Sequence, residues 1–150
     1  MYVLGARSLD NLEGVHPHLV AVVHEAIKIT EQDFGVNEGL RSLETQQDYF
    51  NKGVTKTMHS RHLKQPDGFG HAVDLVPYAN GRYRWEWPLI YPVAKAMQIS
   101  AIKLRVLLRW GADWDMTLNE LSDNLEKEVR NYCIRHPGPD FLDGPHYELV

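Results

Sequence analysis

Two periods of apolar residues run through this chain, one typical of helices and one typical of strands. After Pro17, apolar residues fall at i, i+3, i+4, i+7 and i+8, which predicts an amphipathic helix with this buried stripe: Leu19, Val22, Val23, Ala26 and Ile27. A second stripe predicts a longer helix, from about residue 88 to about residue 108: Ile90, Val93, Ala94, Met97, Ala101, Leu104 and Leu108. Further helices are predicted from a cap at Ser8-Leu9-Asp10, over residues 43–50 behind the candidate cap Ser42, and over residues 117–135.

Strand-like segments lie between these helices. They are predicted at residues 34–40, 71–76, 82–85, 109–114 and 146–150. The pair Asn80-Gly81 is a strong hairpin signal between the second and the third of them, and residues 54–70 are predicted to be a loop. The fold class is therefore α+β, with helices packed on a small antiparallel sheet, in a single domain over residues 1–150.

Composition narrows the function classes. The 43% hydrophobic content suffices for a core, and the formal charge of -4 argues against a nucleic-acid binder, which usually has a basic face. The single cysteine, Cys133, excludes an intramolecular disulfide and a cysteine-rich zinc site. The first residues lack the pattern of a signal peptide, and no apolar run reaches the ~18 residues of a membrane span. We therefore expect synthesis in a cytoplasm and no stable membrane binding.

Four residues carry candidate chemistry. His62 and Asp74 lie in the middle of the chain, and Asp143 and His146 lie in its last eight positions. Two imidazoles and one carboxylate can hold a zinc ion and leave a fourth position open for water. A spare carboxylate beside them can act as the base that uses this water. The residue types thus suggest a zinc site formed by His62, Asp74 and His146, with Asp143 as the base.

Each carboxylate and histidine also has a plainer interpretation. Asp74 stands in an apolar strand, so it needs a cation or several hydrogen bonds, and a turn or an arginine would serve as well as a metal. His146 could be an ordinary polar residue at the start of a strand. Glu148 would then share its face and could fix its ring by a hydrogen bond.

Two other histidines compete with His62 for a ligand role. His59 lies three residues before His62, and we interpret it as a bystander. His71 lies three residues before Asp74, so in a regular strand it points to the opposite face, which favours His62.

Several segments in a fixed order resemble a known family. Ser60-x-His62, Gly70-x-Ala72-x-Asp74 and Asp143-x-x-His146-x-Glu148 are similar to the signature of the D-alanyl-D-alanine carboxypeptidase (VanY-like) zinc peptidases. Within that group the chain looks most like the small phage endolysins that are L-alanyl-D-glutamate peptidases. Other matching segments are Glu38-Gly39-Leu40-Arg41-Ser42, Gln46-Gln47, Ala72 to Tyr78, Asn80-Gly81, Arg109 to Trp114 and Gly144 to Leu149. The resemblance runs from about residue 9 to residue 150.

The chain departs from the family pattern at one place. His62 and Asp74 are twelve positions apart, a longer interval than is usual in the family, and the extra residues fall at about Lys64 to Gly68. A surface loop accepts such an insertion at low cost. We expect it to alter the rim of the cleft and so the access of substrate.

The resemblance implies a fold, an activity and a set of roles. It implies a VanY/hedgehog-like peptidase fold with one zinc ion at the sheet, held by His62, Asp74 and His146. Asp143 is implied as the catalytic carboxylate and Arg41 as a contact to substrate or transition state, while Ser60, Glu148 and Trp114 belong beside the ligands or in the cleft wall. The implied reaction is hydrolysis of the L-alanyl–D-glutamate bond of bacterial peptidoglycan stem peptides during phage-induced lysis.

Two alternatives stay open at this point. One is a D-alanyl-D-alanine carboxypeptidase or dipeptidase, because the same ligands do the same chemistry on different peptides. The other is a non-catalytic, zinc-stabilised module that binds the wall, which would have no need of Asp143. For the endolysin we expect a monomer without a separate wall-binding domain, made in the host cytoplasm and acting in the periplasm or cell wall after a holin-like membrane lesion. Asp113, Asp115 and Glu120 form an acidic cluster that could bind calcium or simply be a solvated turn.

Overall fold

The computed structural model describes residues 1–55, 57–138 and 141–150. Lys56, within the loop predicted over residues 54–70, lies outside the described residues. The helices are α1 (Ala6–Asn11), α2 (Pro17–Ile29), α3 (Leu43–Asn51), α4 (Trp87–Leu104) and α5 (Leu125–Arg135). The strands are β1 (Phe34–Glu38), β2 (Ala72–Ala79), β3 (Arg82–Tyr83), β4 (Leu108–Trp110), β5 (Asp113–Thr117) and β6 (His146–Leu149).

The strands form an antiparallel sheet with helices packed against it. Its order is β1-β2-β6-β4-β5, and β3 pairs with β2 in the hairpin at Asn80-Gly81. The predicted stripe of α2 is buried and packs with α4 and with the inward residues of β1 and β2, such as Val36, Val73 and Leu75. The α+β class with a small antiparallel sheet is therefore confirmed. Of the described helices, none is both long enough and apolar enough to cross a membrane.

The long helix ends earlier than its apolar stripe predicts. It stops at Leu104 because Arg105 adopts a left-handed conformation with φ 58°, which ends the helical hydrogen-bond ladder. Leu104 is partly exposed, whereas Leu108 is fully buried as the first residue of β4. The prediction that Leu108 belongs to the helical stripe was wrong, since a short strand and a helix place an apolar residue equally well.

Two further segments differ from the sequence prediction. Residues 113–117 continue as strand β5, and α5 begins only at Leu125, so the helix predicted over residues 117–135 is shorter by about two turns. Ser8 does not cap α1, which starts at Ala6. Its hydroxyl is buried and accepts a hydrogen bond from the Val36 backbone N–H at 3.0 Å, so the serine ties α1 to β1.

Candidate metal site and catalytic cleft

Asp74 and His146 face each other across the central strands of the sheet. In the antiparallel pairing of β2 with β6, Asp74 stands directly opposite His146. Side chains of such a pair lie on one face of the sheet and within reach of each other. The distance from His146 Nδ1 to Asp74 Oδ1 is 3.3 Å. Residues 72 positions apart in the chain thus become neighbours through strand register alone.

His62 completes the cluster from the loop before β2. Its Nε2 lies 3.3 Å from Asp74 Oδ1, and its Nδ1 lies 2.8 Å from the Gly39 carbonyl. Since that carbonyl can only accept, Nδ1 carries a proton, and Nε2 is the ring nitrogen that faces Asp74. The side chain is buried, at 3% exposure.

The His146 ring is fixed from its other edge. Its Nε2 donates to Glu148 Oε1 at 2.8 Å, which leaves Nδ1 directed at Asp74. Trp114 stacks obliquely on the same ring, with centroids 5.5 Å apart, and its indole N–H donates to the Phe141 carbonyl at 2.7 Å. Glu148 and Trp114 therefore both contact the His146 ring, and both line the cleft.

His71 does not join this cluster. Its Nε2 contacts Asp67 Oδ2 at 2.6 Å, and its ring packs against His16. The residues at Lys64–Gly68 lie with His71 and line no part of the cleft described below. The extra residues fold back on His71 and on Arg61, which itself lines the cleft. That they alter the cleft rim stays a prediction.

Asp143 reaches the cluster from the turn before β6. Its backbone N–H donates to the Gly111 carbonyl at 2.8 Å, and its carbonyl accepts from the His146 N–H at 3.0 Å. A Cβ at position 111 would lie 2.2 Å from the Asp143 carbonyl oxygen, so only glycine allows this approach. The Trp110 indole N–H holds the same turn through the Gly144 carbonyl at 2.7 Å.

Arg41 is held beside the cluster by several side chains. Its Nε donates to Glu38, and its Nη1 donates to Gln46 Oε1 at 2.7 Å and weakly to Ser60 Oγ at 3.5 Å. Its guanidinium also lies over the Tyr49 ring, 4.9 Å from the centroid. Among the described residues, none accepts a hydrogen bond from Nη2, so this nitrogen can donate to a ligand.

The ionisable side chains of the site change one another's pKa values. Burial by itself would raise the pKa of Asp74, but hydrogen bonds from His146 and His62 hold it well below its ordinary value. Burial would likewise lower the pKa of His146, yet its bonds to Asp74 and Glu148 raise it to about 9. Burial, followed by the nearby charge of Asp74, raises the pKa of Asp143. A raised carboxyl pKa suits a group that accepts and returns a proton near neutral pH.

These side chains line one cleft of about 510 Å³. All eight residues singled out from the sequence lie along it: Arg41, Ser60, His62, Asp74, Trp114, Asp143, His146 and Glu148. A larger groove of about 650 Å³, between α2, α4 and α5, contains none of them.

The cluster fits a metal ion in its donor chemistry. One ligand atom each from His62, Asp74 and His146 lie within 4.8 Å of one another. With an ion bound, both rings would present a lone pair inward, because their outer nitrogens donate to Gly39 and Glu148. Two imidazole nitrogens and a carboxylate oxygen are donors that suit zinc and leave a position free.

The acidic residues proposed as a calcium cluster do not converge. Glu120 accepts from Thr117 in a capping box, apart from the other two. Asp115 is paired with Arg135 at 2.8 Å and with His136 at 2.8 Å, and Arg135 also lies 3.5 Å from Asp113. Cationic side chains thus already occupy this acidic pair.

Sequence reasoning assigned no role to several residues that shape the site. Gln46 is fully buried, and its amide donates to the Thr57 carbonyl at 2.5 Å while accepting from Arg41. Tyr49 lies under Arg41, and Arg61 lies 3.8 Å from Glu148. The burial of Gln46 could not be read from its polar neighbours in the sequence. The contacts of Tyr49 and Arg61 have no counterpart in local spacing.

Comparisons with known proteins agree with this geometry. The model of the phage L-alanyl-D-glutamate peptidase family matches residues 1–150. The L-alanyl-D-glutamate peptidase of Escherichia phage T5 is 26% identical over 153 residues, covering 99% of this chain and 98% of the relative. The crystal structure of the Serratia marcescens L-Ala D-Glu endopeptidase ChiX is similar with a TM-score of 0.73 at 32% identity, covering 99% of this chain and 90% of that one.

Proposed function

The chain belongs to the phage L-alanyl-D-glutamate peptidase family, and on that basis we propose how its own residues cut the peptide stem of peptidoglycan. The activity is that of an endolysin peptidase, a hydrolase of the bacterial wall. One observation carries the residue assignment. His62, Asp74 and His146 come from three separate segments and still converge within 4.8 Å, beside a carboxylate and an arginine.

We assign His62, Asp74 and His146 as the ligands of one zinc ion. Zinc supplies Lewis acidity, which lowers the pKa of water to roughly 7 and polarises a carbonyl group. The rings would bind through Nε2 of His62 and Nδ1 of His146, since their other nitrogens donate to Gly39 and Glu148. Asp74 contributes one carboxylate oxygen to the set.

Asp143 transfers the proton of the attacking water, and Arg41 stabilises the negative charge that develops on the substrate. Asp143 is the general base: its carboxylate takes the proton of the attacking water and passes it to the nitrogen of D-glutamate as the peptide bond breaks. Its raised pKa makes it a better proton acceptor than an exposed aspartate. Arg41 donates from Nη2 to the oxygen of the scissile carbonyl, where negative charge develops. Hydrogen bonds to Glu38 and Gln46 hold the Arg41 guanidinium in position before substrate binds.

We also propose how the enzyme reaches its substrate. Peptidoglycan is the substrate class of the family. Action as a monomer, without stable membrane binding and after release through a holin-like lesion, stays a prediction.

Product analysis tests the proposal. Purified peptidoglycan is digested with the protein, with and without a zinc chelator, and the fragments are identified by mass spectrometry. We expect stem peptides with a new free amino group on D-glutamate, and their loss with chelator. Release of free D-alanine would instead mean a carboxypeptidase, and an intact wall with zinc bound would mean a binding module.

A further inference from the structure

Glu148, which orients the His146 ring, is itself contacted by Arg61. Arg61 Nε lies 3.8 Å from Glu148 Oε2, while Glu148 Oε1 accepts from His146. Arg61 Nη2 also donates to the Leu149 carbonyl at 3.0 Å, which anchors the guanidinium to strand β6. One oxygen of the Glu148 carboxylate therefore pairs with the Arg61 guanidinium, and the other accepts from the His146 ring.

Arg61 is held in turn by the residues that lengthen the interval between His62 and Asp74. Its Nη1 donates to Gln65 Oε1 at 3.3 Å. Gln65 is fixed by two bonds of its own, from its amide to the Leu63 carbonyl at 2.8 Å and from its backbone N–H to the Phe69 carbonyl at 2.8 Å. The inserted turn is thus an ordered support rather than a free loop.

A second arm of this support runs through His71. Its Nδ1 lies 3.5 Å from Arg61 Nη2, and its Nε2 contacts Asp67 Oδ2 at 2.6 Å. Asp67 also lies 3.8 Å from His16 Nε2, at the start of α2. Arg61 is therefore bounded on one side by Gln65 and on the other by a histidine that Asp67 holds in place.

We propose that Gln65, Asp67 and His71 brace Arg61, and that Arg61 is a positioning residue that keeps Glu148 on the His146 ring. Gln65 and Asp67 belong to the extra residues of this chain, and the brace lies outside the cleft lining, so it acts on zinc affinity and not on substrate contacts. This inference rests on the proposed zinc site. Its reason is chemical: a carboxylate whose second oxygen is paired with a cation is held in place, and residues behind a ligand tune metal binding in this way.

The expected effect is modest, because the pair is partly solvated. Side-chain exposure is 36% for Arg61 and 18% for Glu148. Removing a partner behind a metal ligand typically weakens metal binding by about 10- to 100-fold, and Arg61 stands one contact further away. We expect Arg61→Met to weaken zinc binding by roughly 3- to 10-fold.

A double-mutant cycle on zinc affinity tests the brace. The zinc dissociation constant is measured by competition with a chromophoric chelator for the full chain and for Arg61→Met, Glu148→Gln and the double variant. Lys64→Met is the matched control, since Lys64 is an exposed cation of the same turn with no side-chain partner among the described residues. We expect Arg61→Met to weaken binding in the wild-type background and to change it by less than about twofold in the Glu148→Gln background.

Two results would overturn the inference. One is an equal loss of affinity in both backgrounds, because Arg61 would then act on the fold and not through Glu148. The other is an unchanged dissociation constant in Arg61→Met. Should that variant unfold, Gln65→Leu replaces it, with a smaller loss that must also vanish in the Glu148→Gln background. A wild-type chain that binds no zinc would refute the proposed function as well, whereas tight binding indifferent to Arg61 refutes the brace alone.

Discussion

Replacing the buried carboxylate of Asp113 by the neutral amide of asparagine should stabilise the protein. The gain should appear only at pH values at which the carboxyl group ionises. Asp113 is 1% exposed, and the nearest cation, Arg135 Nη2, stands at 3.5 Å from its carboxylate. Burial, reinforced by the adjacent Asp115, raises the pKa of Asp113 from its ordinary 3.8 to about 7. Between these two pKa values, Asp113 in the folded state therefore keeps a proton that it has already released in the unfolded chain.

The sign of the effect follows from proton linkage. Below about pH 4 both states carry the proton, and Asp113 contributes nothing. Between about pH 4 and pH 7 the unfolded state ionises first, so stability falls as pH rises, and the full penalty persists above pH 7. The gap between the two pKa values sets an upper bound of about 4 kcal/mol. Relaxation around a buried charge lowers this, and we expect Asp113→Asn to gain ~2 kcal/mol at pH 8.

Urea denaturation of the zinc-free protein at pH 4, 6 and 8 measures this gain without interference from metal binding. A gain of ~2 kcal/mol corresponds to a rise in melting temperature of roughly 4–8 °C for a domain of this size. A gain of Asp113→Asn that is the same at pH 4 and pH 8, or a loss at pH 8, would refute the reasoning.

The other predictions concern the site. Asp143→Ala should keep the fold and the zinc content but lose peptidoglycan cleavage, since only the proton acceptor is removed; measured activity equal to wild type would exclude Asp143 as the base. His62→Ala should lower zinc content by elemental analysis while His71→Ala should not, because His71 faces Asp67; the reverse result would mean that His71 is the ligand. Gly111→Ala should lower kcat/KM by at least about tenfold, as a 2.2 Å contact displaces the Asp143 backbone; a variant with unchanged kinetics would show that the turn tolerates the shift.

Much of the fold was accessible from local pattern. The stripe of α2 and the hairpin at Asn80-Gly81 were predicted correctly because each depends on residues within a few positions of one another. The end of α4 was not, because it depends on the left-handed conformation of Arg105, a residue without a local signal for it. Thr117 was assigned to a helix because its pairing partner in the sheet, Arg109, lies in a separate strand.

The site divides in the same way. Sequence by itself determined the donor types and the family, because His62, Asp74, Asp143 and His146 carry their chemistry in their side chains and their order in the chain. Only the tertiary structure decided which of these atoms meet. The register of β2 on β6 sets Asp74 against His146, and hydrogen bonds from residues distant in sequence select the ring nitrogens that face inward. The contacts of the inserted turn with Arg61 and His71 were also decided there, since contacts made across the fold leave no trace in spacing along the chain.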